Sequence, residues 1–139
     1  MSFALPEDLE TISFLDREIV FEFHQDVLEP GQLSGCKSVD DLESALGRVR
    51  SAAYYDPNAD LVRLAAYYWH GVSSNHAFQD GNKRTGFVCM VNFLLMNGLE
   101  FCAPDVEMGP LIERLFNEER FSLDVLDHIV RTSTRPYVG

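Results

Sequence analysis

The sequence predicts a compact all-helical bundle of about six helices, and three observations support this fold class. Apolar residues recur mostly at spacings of three and four, which is the periodicity of a helix with one buried side. Strand signals are scarce, and only residues 31–37 suggest a hairpin. A chain of 139 residues, 46% of them hydrophobic, is long enough to bury one core but not two.

The first two helices are predicted from apolar stripes and boundary signals. The first spans residues 16–28, with its apolar residues on one face, and Glu29-Pro30-Gly31 ends it. Ser38 is the N-cap of the second helix, and acidic residues follow in the first turn, where they favour the helix dipole. This second helix is predicted to run to about Arg50.

The third and fourth helices flank a polar segment. Asp60 opens the third, which spans residues 61–74 and carries an apolar stripe. In "FVCMVNFLLM", residues 87–96, only Asn92 is polar. The fourth helix, at about 83–97, is therefore predicted to be apolar nearly all round and to run through the middle of the domain.

Two further helices complete the prediction, at residues 106–117 and 123–131. Residues 132–139 are expected to fray, as chain ends without docking contacts do. Residues 1–139 are therefore predicted to form a single domain, whose core lies at about 14–131.

Charge and composition limit the partners of the chain. With 22 acidic and 11 basic side chains its net charge is −11, which repels nucleic acid, so a bound phosphate must meet a local positive site. No run approaches the roughly 18 apolar residues of a membrane span, and "MSFALPEDLE" at the start lacks the pattern of a signal peptide. We expect a cytoplasmic protein that binds neither nucleic acid nor membrane. Its three cysteines, without metal-ligand spacing, are expected to be reduced.

Residues 75–86, "NHAFQDGNKRTG", place a dense set of polar groups before the apolar fourth helix. Asp80-Gly81 breaks a helix, so the N–H groups from about Gly81 to Lys83 are unpaired donors of a helix N-terminus, which bind anions. Gly81 lets the backbone approach a phosphate, and Lys83 and Arg84 add positive charge. Two cations in a first helical turn oppose the helix dipole, which indicates a negative ligand.

Two other side chains of this segment fit phosphate chemistry. Asp80 can hold Mg²⁺, which prefers one or two carboxylates together with substrate phosphates. His76 is the candidate general base, because histidine exchanges protons near neutral pH. The residues alone leave open that Asp80-Gly81 is an ordinary turn and that the cations are only solvated. Phe78 is expected to bury itself and hold the loop.

The stretch "HAFQDGNKRTG" resembles the signature of the Fic/Doc superfamily, His-x-Phe-x-Asp/Glu-Gly/Ala-Asn-x-Arg, and its Lys83 is typical of the Doc, or death-on-curing, branch. The segments "FLDREIVFEFHQDVL" and "SVDDLESALGRVRSAAYY" resemble the first two helices of that family. The likeness covers about residues 14–131. It implies a Fic/Doc-type bundle in which residues 29–38 correspond to a short flap that in the family docks an extended stretch of the target by strand addition. The glycine, proline and serine content of this segment is equally that of an ordinary loop, so the sequence leaves both interpretations open.

The resemblance also implies roles for the residues of the motif. His76 deprotonates a target hydroxyl, Asp80 binds Mg²⁺, and Arg84 completes the catalytic set. The residues implied to bind the nucleotide are Gly81, Asn82, Lys83 and Arg84.

Two departures distinguish this chain from the adenylylating Fic enzymes, which have a glycine in place of Lys83 and a second arginine in place of Phe87. The likeness to Doc proteins implies a toxin that uses Mg-ATP to transfer the γ-phosphoryl group to a threonine of elongation factor Tu and so halts translation. We favour this kinase over two alternatives, a protein adenylyltransferase and a non-catalytic binding module of the same fold.

A toxin of this kind must be inhibited in the cell that produces it. Autoinhibited Fic proteins carry an inhibitory helix with the pattern Ser/Thr-x-x-x-Glu-Gly/Asn, and this pattern does not occur in this sequence. The resemblance therefore predicts a separate, Phd-like antitoxin that binds a surface groove in trans.

Several residues outside these roles are interpreted as structural. Gly86 is predicted to mark close helix packing. His24, His70 and His128 are interpreted as packing or surface residues, and Trp69 as part of the core.

Overall fold

The computed structural model describes residues 2–139, which form six α-helices, a 3₁₀ turn and a two-stranded sheet. The helical elements are the 3₁₀ turn Leu9–Thr11, α1 Arg17–Val27, α2 Val39–Tyr55, α3 Leu61–Ser74, α4 Asn82–Met96, α5 Asp105–Asn117 and α6 Leu123–Thr132. The strands are β1 Leu99–Phe101 and β2 Thr134–Pro136. The predicted all-helical class is confirmed.

Ser and Asp side chains cap four of the α-helices. Ser38 Oγ accepts a hydrogen bond from a backbone N–H in the first turn of α2 at 3.1 Å, and Asp60 Oδ1 does the same for α3 at 2.8 Å. Both caps were predicted. Asp16 and Ser122 cap α1 and α6 in the same way. Such a cap stabilises a helix by about 1 kcal/mol.

α3 lies at the centre of the packing. Leu64, Tyr68 and Trp69 of this helix are fully buried, and it packs against α2, α4 and α6. α4 lies against α3, α1 and β1, but Leu95 and Met96 in its last turn are 39% and 43% exposed. α4 is less enclosed than its composition predicts, because these neighbours cover only part of its circumference.

α3 and α4 approach each other closely at Gly86. A Cβ at this position would overlap Ser73 Oγ and lie 2.8 Å from the carbonyl oxygen of Trp69. Since Cβ atoms do not approach other heavy atoms to that distance, glycine is required here, and the interpretation of Gly86 as a packing residue is confirmed. The crossing brings the end of α3 close to the start of α4, on either side of residues 75–81.

The second helix is longer than predicted. It continues to Tyr55, whereas the sequence predicts an end near Arg50. Ala52 and Ala53 extend the buried stripe by another turn, and the N–H of Asp56 bonds to the carbonyl of Ala52 at 3.0 Å. Burial of these small side chains therefore stabilises the additional turn of α2 beyond Arg50.

The C-terminal tail is partly structured, so the prediction of fraying over residues 132–139 is wrong for Thr134–Pro136. These residues pair antiparallel with β1, with Phe101 opposite Thr134. Thr134 is buried, and its Oγ1 donates to the carbonyl of Val130 at 2.6 Å. The sequence could not reveal this, because the backbone groups that the tail pairs with lie about 35 residues earlier in the chain.

An ion network joins α3 and α6 at the end of α3 that lies away from residues 75–81. Arg63 Nε donates to Asp56 at 2.7 Å. Arg131 donates to Asp60 at 2.8 Å and to Asp127 at 2.9 Å. Asp60 therefore caps α3 and binds α6 at once, which fixes the two helices relative to each other.

Candidate active site

The loop between α3 and α4 carries the motif, and its backbone takes two left-handed conformations. His76 has a φ of 54° and Gly81 a φ of 82°. At Gly81 a Cβ would also lie 3.3 Å from Leu28 and 3.5 Å from His24. Glycine therefore meets both a conformational and a steric need at the start of α4. His76 is exposed, and its left-handed backbone is uncommon for a residue with a side chain.

All of the predicted site residues line one open cavity of about 270 Å³ at the start of α4. The residues of its wall are Gln32, Ser73, His76, Gln79, Asp80, Gly81, Asn82, Lys83, Arg84 and Glu113. The structure thus brings together the proposed base, the proposed metal ligand and the proposed phosphate-binding groups. Four of the wall residues, Gln32, Ser73, Gln79 and Glu113, were not predicted.

The start of α4 offers unpaired backbone donors. The first α-helical bond of this end joins the N–H of Thr85 to the carbonyl of Gly81 at 2.9 Å. Within residues 2–139, the N–H groups of Asn82, Lys83 and Arg84 have no hydrogen-bond acceptor, and no side chain caps the helix. An anion can accept from such a helix N-terminus.

Asp80 occupies a position in which one carboxylate oxygen remains available. Its Oδ2 accepts from the N–H of Leu33 at 2.8 Å. Its Oδ1 has no partner among the residues that the structure describes. The described residues contain no cluster of three Asp, Glu, His or Cys side chains suited to a metal. One free carboxylate oxygen beside the unpaired N–H groups at the start of α4 fits Mg²⁺, which takes most of its remaining ligands from water and phosphate.

The two cations of the motif are paired with carboxylates. Lys83 Nζ lies 3.3 Å from Glu113 Oε1 of α5, and the Arg84 guanidinium forms an ion pair with Glu29. The four side chains are 40% to 60% exposed. Exposed pairs of this kind are worth about 1 kcal/mol or less, so a phosphate group can replace these carboxylates at small cost.

Asn82 holds the loop through its side chain. Its Oδ1 accepts from the N–H of Phe78 and its Nδ2 donates to the carbonyl of Phe78, both at 3.0 Å. Phe78 itself is 1% exposed, which confirms that it is buried and anchors the loop. The backbone N–H of Asn82 is thus unpaired at the start of α4, while its side chain bonds to the backbone of Phe78.

The flap near residues 29–38 lies beside the motif loop. The N–H of Lys37 donates to Ala77 at 2.7 Å, and the N–H of Gln79 donates to Gly35 at 2.9 Å. These bonds form an isolated antiparallel bridge centred on Cys36 and Phe78 rather than a strand. The flap is therefore fastened to the cavity wall by its backbone.

His24 of α1 is a site contact that the sequence interpretation missed. Its burial and the stacking of its ring on Phe78 at 3.8 Å confirm the interpretation of His24 as a packing residue. The sequence did not predict that its Nε2 lies 2.7 Å from the carbonyl oxygen of Asp80. A signal was present in the sequence, because His24 follows buried Val20 by four residues on the apolar face of α1. A polar side chain on such a face usually has a buried hydrogen-bond partner.

Other expectations have simple outcomes. Among residues 2–139, no helix has the length and apolar character needed to cross a membrane. The three cysteines are free. Trp69 is fully buried, as predicted.

Known proteins match this chain over the region of the site. Residues 14–94 match the model of the Fic/DOC family. The chain is 32% identical over 77 residues to "Protein kinase doc" of Escherichia phage P1, and the alignment covers 55% of this chain and 61% of the phage protein. It is 35% identical over 112 residues to "Toxin Doc" of Mycolicibacterium smegmatis, and this alignment covers 76% of this chain and 78% of the mycobacterial protein. Since the family model spans more than half of the sequence, the chain belongs to the Fic/DOC family, on the branch of the Doc proteins.

Proposed function

We propose that this chain is a Doc-type toxin, a protein kinase that transfers the γ-phosphoryl group of Mg-ATP to a Ser or Thr hydroxyl of a translation factor similar to elongation factor Tu. One observation carries the proposal: His76, a free oxygen of Asp80, and the unpaired N–H groups at the start of α4 face a single cavity. Base, metal ligand and anion site are the parts that phosphoryl transfer needs. One relative is named a protein kinase and the other a toxin, which supports the general class of activity proposed here.

In the proposed reaction His76 takes the proton of the target hydroxyl. The hydroxyl oxygen then forms a bond to the γ-phosphorus, the bond from that phosphorus to the β,γ-bridging oxygen breaks, and ADP leaves. His76 is exposed at the rim of the cavity, where a macromolecular target can reach it. Mg²⁺ supplies charge neutralisation at the phosphates when it is bound to Asp80.

The anion site would hold the triphosphate. The N–H groups of Asn82 to Arg84 bind its oxygens, and the Lys83 and Arg84 side chains leave Glu113 and Glu29 to neutralise its charge. Because catalysis of phosphoryl transfer depends on alignment and charge, this cradle accounts for most of the expected rate enhancement.

The surroundings of Phe87 support transfer of the γ-phosphoryl group over adenylylation. Phe87 packs edge-on against Trp69 at 5.6 Å and against Phe101 at 5.8 Å. An apolar side chain therefore stands where adenylylating relatives place a second arginine to hold the distal phosphates. Lys83 likewise puts a side chain where those enzymes leave room.

The antitoxin is proposed to bind the groove of about 510 Å³ beside the site. This groove lies between the end of α1, α4 and α5, is lined by apolar residues such as Phe87, Val88 and Met108, and includes Arg84. A Phd-like helix lying there would cover one wall of the phosphate site and so block nucleotide binding.

Transfer is tested by incubating the protein with a bacterial translation extract and ATP labelled at either the α or the γ phosphate. We expect label from γ, and not from α, on a protein band of the extract, and none with the His76→Ala variant. Label from α would make the protein an adenylyltransferase. Absence of both labels, with no Mg-ATP binding by calorimetry, would favour the non-catalytic binding module.

A further inference from the structure

We infer that His24 of α1 is a positioning residue that holds the Asp80–Gly81 peptide in the orientation required for the site. The inference rests on the proposed function for its effect on transfer, but the contact itself involves only this chain. His24 is 1% exposed, and its Nε2 lies 2.7 Å from the carbonyl oxygen of Asp80. The two residues are 56 positions apart, so α1 reaches the motif directly.

The partner of His24 determines which nitrogen carries the proton. A carbonyl oxygen can only accept, so Nε2 of His24 is the protonated, donating nitrogen. The bond is at the short end of the N–H···O range, and it satisfies the carbonyl of Asp80 beside a buried ring.

This bond sets the orientation of a whole peptide unit. Because the peptide is planar and trans, fixing the Asp80 carbonyl toward α1 points the N–H of Gly81 in the opposite direction, away from His24. It also fixes the backbone from which the Asp80 carboxylate projects. His24 thus acts on the backbone of the proposed metal ligand and of Gly81, which directly precedes the donors of the anion site.

The ring of His24 adds a second contact. It stacks on Phe78 with ring centroids 3.8 Å apart and an angle of 11° between the planes, and it lies 3.5 Å from where a Cβ of Gly81 would be. Phe78 is in turn held by Asn82. The loop is therefore fastened from within by Asn82 and from α1 by His24.

If His24 only fills space in the core, its ring is what matters; if it is a positioning residue, its N–H donor is what matters. Two substitutions distinguish these roles. His24→Phe keeps an aromatic ring for stacking but removes the donor and leaves the Asp80 carbonyl unpaired. His24→Gln loses the ring but retains an N–H donor that reaches about as far as Nε2.

The test measures phosphate transfer, Mg-ATP affinity and melting temperature for both variants beside the wild type. We expect His24→Gln to retain transfer within about tenfold, and His24→Phe to lose roughly 10- to 100-fold in kcat while it stays folded. If His24→Phe transfers as fast as the wild type, or if it is more active than His24→Gln, the ring alone matters and the inference is wrong.

A second measurement keeps the inference testable whatever the activity or stability of the variants. Nitrogen-15 NMR of the wild-type imidazole should show His24 protonated at Nε2 and coupled to the Asp80 carbonyl carbon across the hydrogen bond. A proton on Nδ1 alone would overturn the inference. If the wild type transfers no phosphate while this signature is present, the proposed function fails and the positioning contact stands.

Discussion

Lys83 Nζ lies 3.3 Å from Glu113 Oε1 and 4.4 Å from the centre of the Phe116 ring, so the motif lysine is held by two side chains of α5. In the proposed kinase a phosphate oxygen would take the place beside Lys83 that the Glu113 carboxylate occupies in this structure. In the proposed kinase, nucleotide and Glu113 therefore compete for the same cation.

Replacing Glu113 by Gln should tighten Mg-ATP binding. The substitution removes the competing charge, and because the pair is exposed the gain is limited to about fivefold in Kd. Titration calorimetry measures it. Glu107→Gln, on the same helix and exposed, is the matched control and should leave Kd unchanged. Weaker binding by Glu113→Gln would mean that Glu113 supports the site instead.

Replacing His76 by Ala should lower transfer by about 10²- to 10⁴-fold and leave Mg-ATP affinity unchanged, since the helix N-terminus, Asp80 and the cations remain. His76→Asn, whose side chain tolerates the left-handed backbone found here, should be equally inactive with an unaltered loop. Rates come from γ-label transfer, and folding from thermal melts. Loss of nucleotide binding in both variants would show that the histidine serves structure rather than proton transfer.

Replacing Lys83 by Gly should reduce γ-phosphoryl transfer, because it removes a phosphate cation and opens the space that the adenylylating enzymes use. The measurement compares label from α and from γ on the target band, together with Kd for Mg-ATP. If Lys83→Gly transfers γ-phosphate as fast as the wild type, this lysine does not decide the reaction.

Replacing Gly86 by Ala should destabilise the protein by about 1–3 kcal/mol, because the new methyl would overlap Ser73 and approach the Trp69 carbonyl at the α3–α4 crossing. Gly109→Ala is the matched control, since it lies within α5 with nothing within 4 Å of its Cβ. That change should stabilise by up to about 1 kcal/mol. Urea unfolding measures both. Equal stability of the two variants would contradict the close crossing.

The Asp56–Arg63 pair should make stability depend on pH in acid. A hydrogen bond from Arg63 lowers the pKa of Asp56 below its ordinary value of 3.8, with further bonds from Asn58 and Tyr67. A carboxyl group with a lowered pKa in the folded state contributes stability above its unfolded pKa and loses it as pH falls. The urea concentration at the unfolding midpoint should therefore decrease as the pH is lowered below about 4. The decrease should be less steep in the Asp56→Asn variant, which lacks this carboxyl group. The control variant Asp26→Asn, at an exposed position, should show the same dependence of the urea midpoint on pH as the wild type.

Local features of the sequence were enough to predict most of the fold. Apolar spacing located the helices, and Ser38 and Asp60 marked two of their starts because a capping side chain acts on N–H groups only a few residues away. The motif at residues 75–86 likewise supplied the six predicted residues that line the cavity, since Asp80, Gly81 and the cations are neighbours along one turn. The chemical roles of these residues remain predictions until the variants are measured.

Contacts between distant residues were decided by the tertiary structure alone. The sequence does not show that His24 reaches the carbonyl of Asp80, that Glu113 pairs with Lys83, or that the tail pairs with β1. Each of these contacts depends on how helices and strands pack, and packing is selected by burial over the whole core rather than by a local pattern. The sequence by itself therefore determined the motif residues of the candidate site, and the packing of α1, α4 and α5 determined which partners hold them and which further side chains, such as Glu113, line the cavity.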